Sequence, residues 1–149
     1  MDSEQYIIDQ RLINAAKRGE AESVEEYVLD KECPVDVNNA KDGMGETALH
    51  WAARNGYEEV IAVLLKFKAN PNVLNRDQET PLHKAAFKDH LEAIRVLVNV
   101  GKADVSLKNK NGETALQLAK DVECRKLLVP RVDTSVDDEY DEEDSDNDN

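Results

Sequence analysis

The sequence predicts an all-α repeat protein, and three observations predict it. First, a string returns at a fixed period. GETALHWAARNGYEEVIAVLLKFKANPN at 45–72 is followed by QETPLHKAAFKDHLEAIRVLVNVGKADVS at 78–106, and self-similarity of this kind marks repeat architectures. Second, each copy opens on a threonine placed to cap a helix. Thr47 returns as Thr80 after 33 residues and as Thr114 after another 34, with the extra residue assigned to the loop GKAD. Third, apolar residues follow each threonine at helical spacing, Leu49 with Ala52 and Leu82 with Ala85, so that they share one face.

Taken in order, the copies read as four units, at about 5–40, 41–74, 75–108 and 109–130. In the first, LINAAKRGEAESVEEYVL (12–29) matches LHWAARNGYEEVIAVLL but lacks the threonine and histidine. The second and third are complete. Their threonine hydroxyls are placed to accept from the first helical amides, and Pro81 takes a first helical position, where a missing N–H costs nothing. Ala52–Ala53 and Ala85–Ala86 are small enough for helices to approach closely, and Val60, Ile61, Leu64 and Leu65, then Ile94, Leu97 and Val98, supply the second helices. Gly19 and Gly56 fall between helices, where a left-handed residue is needed. Asp89 takes that place in the third unit, with local strain but no change of fold expected. The fourth unit, GETALQLAKDVECRKLL, has Gln117 in the histidine position, is about four residues shorter between its helices and stops at Pro130. The two outer units read as caps with a polar outer face.

The period and the TALH and TPLH strings resemble the ankyrin-repeat family over roughly residues 5–129. The resemblance implies an ankyrin-type solenoid of helix–turn–helix units joined by β-hairpin-like loops, with a concave face that binds other proteins. It also implies that His50 and His83 are structural, their rings tying the start of a first helix to the loop and the adjacent unit. His90 receives the same structural reading. Carried over position by position, partner contacts come from the hairpin tips, with Gly43, Met44 and Glu46 in the first, Arg76, Asp77 and Glu79 in the second, and Lys110, Asn111 and Glu113 in the third. Outward first-helix residues add Lys17, Arg18, Trp51, Arg54 and Asn55, then Lys84, Phe87 and Lys88, and finally Leu118 and Asp121. Phe87 is a natural binding anchor, packing against Trp51 or Leu118 being the alternative. Trp51 is read mainly as packing, with its edge left for a partner. Lys17, Arg18, Arg54, Lys84 and Lys88 make a candidate basic stripe. Gln78 stands where the family favours glycine, so the second hairpin is expected to be looser than the third.

Composition narrows the function. The chain has 149 residues and a net charge of −13. Residues 131–149 hold ten acids against one base, residues 1–40 ten against four, and residues 41–130 twelve against fourteen. The middle is therefore slightly basic, and the acidity is concentrated at the ends. RVDTSVDDEYDEEDSDNDN (131–149) lacks the apolar content to fold and reads as a disordered acidic tail following a repeat domain at 1–130. Such a tail solubilises the chain, attracts a basic protein by long-range charge, or folds back onto the basic stripe in competition with an acidic ligand. Thr134, Ser135 and Ser145 each precede an acid by three residues and suit an acid-directed kinase. MDSEQYIIDQ has neither a basic nor an apolar leader segment, so no signal peptide is expected. No run of 18 apolar residues occurs, so no membrane span is expected. Cys33 and Cys124 stand alone, without metal-ligand spacing, and read as reduced thiols packed as small apolar groups. A cytoplasmic or nuclear protein, monomeric on its own, is expected.

No nucleophile elbow, zinc-protease helix or phosphate-binding glycine loop occurs, so neither enzyme activity, cofactor nor metal is expected. Net acidity argues against direct nucleic-acid binding. The resulting expectation is a non-enzymatic adaptor or chaperone-like module for another protein, with the tail attracting a basic one. The alternative is a small regulatory inhibitor of a kinase or transcription factor.

Overall fold

The hairpin turns come first, because everything else is registered on them. Residues 42–46, 75–79 and 109–113 close in the same way. The N–H of Asp42, Asn75 or Asn109 bonds the carbonyl four residues on, and the third residue after it bonds back, at 2.9–3.1 Å throughout. The Asp or Asn side chain accepts two further loop amides in every copy, at 2.9–3.0 Å, since a short Asx oxygen reaches backbone two residues ahead. Gly45, Gln78 and Gly112 occupy the left-handed corner, with φ of 78°, 60° and 79°. The second hairpin is therefore not looser: Gln78 adopts the glycine conformation and the bonds are kept. Consecutive tips are then stitched, Arg76 N–H to Met44 O at 3.1 Å and Lys110 N–H to Asp77 O at 3.0 Å.

The computed structural model describes residues 3–130, and within them four helix pairs follow one another. The first helices are α1 (Ser3–Lys17), α3 (Ala48–Asn55), α5 (Pro81–Phe87) and α7 (Ala115–Leu118); the second are α2 (Ala21–Leu29), α4 (Glu58–Lys66), α6 (Leu91–Arg95) and α8 (Val122–Leu128). Thr47, Thr80 and Thr114 are the N-caps of α3, α5 and α7, each hydroxyl accepting the amide three residues on. First helices stack on first helices and second on second. Ala15–Ala16, Ala52–Ala53 and Ala85–Ala86 are fully buried between them. Leu12, Leu49, Ile61, Leu64, Leu82, Ile94, Leu97 and Leu128 complete a continuous core, each large side chain contributing on the order of 1.5–3 kcal/mol. In the fourth unit Lys120 replaces the second alanine, and α7 has only four residues against eight in α3 and seven in α5. Asp121 then starts α8 by accepting Glu123 and Cys124 amides.

The third unit's additional residue is not in the GKAD loop, where the sequence placed it. Ala69 N–H reaches Leu64 O, whereas the equivalent Ala103 N–H reaches Leu97 O, one residue farther. The insertion falls between Leu97 and Gly101, where α6 continues as a π turn over Val96–Val100. Widening the last helical turn absorbs one residue and keeps Leu97 and Ala103 buried, a recognised way for a helix to accommodate an insertion.

On the edge away from the hairpins, each unit touches the next through its helix–helix corner. Gly56 has φ 77°, and a Cβ there would fall 2.7 Å from the His90 ring; Gly19 stands likewise beneath Tyr57. Asp89, φ 56°, solves the same joint differently. Its carboxylate accepts the Lys120 and Asp121 amides at 2.9 and 3.0 Å, which offsets its backbone strain. Cys124 is buried while Cys33 is half-exposed, so only the former is packed as the sequence suggested. Burial, with Asp121 and Asp89 nearby, pushes the Cys124 thiol up to about 11.

Replacing the strained corner residue tests this description. Gln78→Gly is expected to raise unfolding free energy by about 0.5–1 kcal/mol, the left-handed cost of about 1–2 kcal/mol less the extra entropy of an unfolded glycine. Gly45→Ala should lower it by a similar or larger amount. Urea titrations of both variants measure the two signs.

Candidate functional site

His50 links the hairpins to the helices. Its Nδ1 lies 3.1 Å from the Thr47 amide and accepts from it, which leaves Nε2 to donate to Glu79 O at 2.8 Å in the next hairpin. His83 repeats the arrangement with Thr80 and with Glu113 O, at 3.1 and 2.8 Å. Burial holds the His50 ring below its ordinary value, and Lys84 nearby adds to this against the raising effects of Glu79 and Glu46. A proton on Nδ1 would also oppose the Thr47 N–H. In the fourth unit Gln117 Oε1 accepts the Thr114 amide at 2.8 Å. It supplies the capping half alone, where no further hairpin follows among the described residues. The hydroxyl beside each ring, Thr47 Oγ1 at 3.1 Å and Thr80 Oγ1 at 2.8 Å, is buried and accepts a helical amide, so the geometry is that of a clasp.

Between the tips and the outward faces of α3, α5 and α7 runs a groove of about 470 Å³. Its floor is a closed polar network. Lys84 Nζ bridges Glu79 at 2.8 Å and Glu46 at 3.2 Å, and Asn75 Nδ2 donates to both carboxylates at 3.0 Å. Burial alone would lower Lys84, but Glu79 and Glu46 hold its ammonium above the usual lysine value. Burial likewise opposes ionisation of Glu79, yet Lys84 and Asn75 keep its carboxyl below the usual range. Glu46 is 8% exposed. Glu46, Glu79 and Lys84, all assigned from the sequence to partner contact, are therefore engaged with one another in the groove floor, because the two hairpins bring three charges and an amide together.

The wall carries two aromatic rings with cations on them. Lys17 Nζ lies 4.4 Å and the Arg54 guanidinium 5.2 Å from the Trp51 ring centre. Lys88 and Lys120 Nζ lie 5.9 and 5.5 Å from that of Phe87. These are cation–π distances. Trp51 is half-buried and donates from Nε1 to Asp42 Oδ2 at 2.9 Å. Burial disfavours the Asp42 carboxylate, but this bond and the Glu46 and Met44 amides hold its pKa low. Phe87, by contrast, is 56% exposed and Met44 at the lip is 55% exposed. Arg76, Asp77, Lys110 and Asn111 are exposed at the tips, and Asn55 is exposed but donates to Lys17 O at 3.1 Å.

The basic stripe read from the sequence is thus split. Arg18 pairs with Glu20 at 2.9 Å and Lys84 is held in the floor, whereas Lys17, Arg54 and Lys88 stand on rings and are joined by Lys120. Among the described residues the ion pairs involve other cations, Arg18, Lys66, Lys84, Arg95 and Lys126. Sequence reasoning missed Lys120 and the Asx series at 42, 75 and 109. The recurrence of Asp or Asn at 33 and 34 residues would have found the latter. No group of three or more metal-ligating side chains occurs among the described residues, and no helix there is long and apolar enough to cross a membrane. Thr134, Ser135, Ser145 and the acidic tail lie outside the described residues.

The repeat geometry defines a class, and comparison with known proteins agrees. The family model for ankyrin repeats in many copies matches residues 12–65 and 49–98. The chain belongs to the ankyrin-repeat family. It is similar to human BCL-6 corepressor-like protein 1, 36% identical over 117 residues, which is 78% of this chain and 6% of that protein. It is also similar to mouse protein phosphatase 1 regulatory subunit 12A, 43% identical over 84 residues, 56% of this chain and 8% of that one. Human transient receptor potential cation channel subfamily A member 1 matches at 34% over 105 residues, 70% of this chain and 9% of the channel subunit. The chain spans less than a fifth of the length of these curated relatives. The ankyrin repeat is a non-enzymatic fold that generally serves protein–protein interaction.

The clasp makes stability pH-dependent in a defined direction. The folded protein excludes a proton that unfolded His50 takes up below about pH 6.5. Stability should therefore be flat above that value from this residue and fall as the pH drops below it. Glu79 and Asp42, depressed when folded, contribute stability that is lost only at lower pH, below about 4.5. His50→Gln keeps the capping half without titrating and should show a smaller loss of urea midpoint between pH 7.5 and 5.5. His50→Ala should cost about 1–3 kcal/mol at pH 7.5. An equal pH-dependent loss in wild type and His50→Gln would refute the assignment.

Proposed function

We propose that this chain is a non-enzymatic adaptor or chaperone-like module that binds a protein partner in the groove and along the hairpin tips. The observation that carries the reading is Phe87, a large ring 56% exposed inside a groove. An aromatic projecting from a rigid, preorganised surface is a typical binding hot spot. Met44 extends the apolar surface to the lip, and Arg76, Asp77, Lys110 and Asn111 provide a polar rim. Trp51, Arg54, Asn55 and Lys88 border the same surface. The acidic segment 131–149 acts as a lure for a basic partner, raising the encounter rate in a salt-dependent way. Phosphate on Thr134, Ser135 or Ser145 would increase its charge. We place the protein in the cytoplasm or nucleus, as a monomer before it meets its partner, and without a cofactor or direct contact to nucleic acid.

A second reading is favoured by one observation. Lys17, Arg54, Lys88 and Lys120 present positive charge on two rings and form none of the ion pairs found among the described residues, Asp42 and Asp89 lying nearby, which suits an inhibitor that grips an acidic surface of a kinase or transcription factor. The two readings differ in how they respond to the tail.

Affinity capture with wild-type protein, Phe87→Ala and a chain ending at Pro130 separates them. Phe87→Ala should weaken recovery of the partner about tenfold or more, a loss of at least ~1.4 kcal/mol, without moving the thermal midpoint. A basic partner lost on truncation supports the adaptor, and an acidic partner retained on truncation supports the inhibitor. Recovery unchanged in both variants would rule out the groove and the tail together.

A further inference from the structure

The groove asks for an anionic ligand of a particular kind. Two like charges on one ring repel each other, and a carboxylate between them removes that repulsion while the ring edge takes an apolar neighbour. Trp51 with Lys17 and Arg54, and Phe87 with Lys88 and Lys120, form two such sites on successive first helices and the turn beyond. The floor cannot satisfy them, because Glu46 and Glu79 are engaged with Lys84. Asp42, near Lys17, already accepts from Trp51 Nε1 and from the Met44 and Glu46 amides, and Asp89, near Lys120, is engaged by two backbone amides. The chemistry called for is an acidic peptide with an occasional aromatic or aliphatic side chain.

We propose that this ligand is the chain's own segment 131–149, seated along the groove against the cation-flanked rings. The inference deepens the reading of the groove as the interaction surface and rests on it. Charge complementarity is the first argument: the segment has ten acids against one base. Reach is the second. In the second and third units ten residues separate the end of the second-helix segment from the next tip donor, Lys66 to Arg76 and Val100 to Lys110. Ten residues after Leu128, where α8 ends, is Asp138. The chain can therefore rise to the rim as it does in every internal unit, leaving EYDEEDSDNDN (139–149), with seven acids and Tyr140, to enter the groove. Eleven extended residues span roughly 35 Å, and units stack at about 10 Å, so the segment passes Phe87 and reaches Trp51. The third argument is chemical kind, since Tyr140 supplies an aromatic side chain among the acids.

The test uses the full chain, isotopically labelled, with Cys33→Ser and a nitroxide attached through Ser145→Cys; Cys124 is buried and stays unlabelled. At low salt the Trp51 indole and Lys88 amide signals should lose at least about half their intensity, and recover at about 0.5 M salt, where screening is complete within ~5 Å. Lys88→Glu combined with Lys120→Glu should abolish the loss at Lys88 with the thermal midpoint retained. Mixing labelled chain with unlabelled nitroxide-bearing chain should give no broadening. Signals at Trp51 and Lys88 that are unaffected by the nitroxide, insensitive to the charge reversal, or broadened only between molecules would each overturn the proposal. Partner capture that depends on Phe87 without nitroxide broadening would leave the binding function standing and remove only this inference. Broadening without Phe87-dependent capture would do the reverse.

Discussion

The rest of the structure depends on a bridging imidazole at two joints, between the second and third units and between the third and fourth. A threonine at the N-cap and a histidine three residues on form a capping pair, which needs only a side chain that accepts from the cap amide. Histidine adds a second function that glutamine performs less well: its far nitrogen donates to a carbonyl of the following hairpin. With Nδ1 committed as an acceptor, Nε2 must carry the proton, so the neutral ring is both cap and bridge. The fourth unit shows the division of labour. It retains the threonine, replaces the histidine with Gln117 and loses only the outgoing bond, which has no following hairpin to reach among the described residues.

The opposite edge is joined by two kinds of chemistry. A ring covers a left-handed glycine at the first two joints, and a left-handed aspartate accepts two amides at the third. The variety shows what the joint requires, namely a close approach of one helix corner to the next. Steric fit meets that requirement in one case and hydrogen bonding in another. Between these two edges the units are held without dependence on the groove, so the residues of the groove wall are available for binding.

Within the groove, burial separates charges that look alike in the chain. Lys84, Lys88 and Lys17 are all lysines on or just after first helices. Lys84 falls between two carboxylates from different hairpins, and those carboxylates hold its ammonium above its usual value. Lys17 and Lys88 fall on aromatic faces, where the attraction is weaker and the charge remains available to an anion. The groove therefore sets two carboxylates against one ammonium at its floor and carries positive charge along its wall, although the chain as a whole is strongly acidic.

The period, the helical pairing, the capping threonines and the left-handed corners were legible in the residues, because each depends on contacts within a few positions or on recurrence at a fixed distance. The acidic segment was legible from composition alone. The tertiary structure decided the rest. It put the inserted residue in a π turn rather than in GKAD, since the buried Leu97 and Ala103 had to keep their places. It kept the second hairpin closed despite Gln78, since the bonds of 75–79 and the stitch to its neighbours outweigh one strained φ. It tied Glu46, Glu79 and Lys84 together in the groove floor and set Lys120 over the Phe87 ring. Those outcomes arise from side chains about 30 residues or more apart meeting across repeat joints, and a repeat sequence specifies the joint without stating which charges will face each other over it.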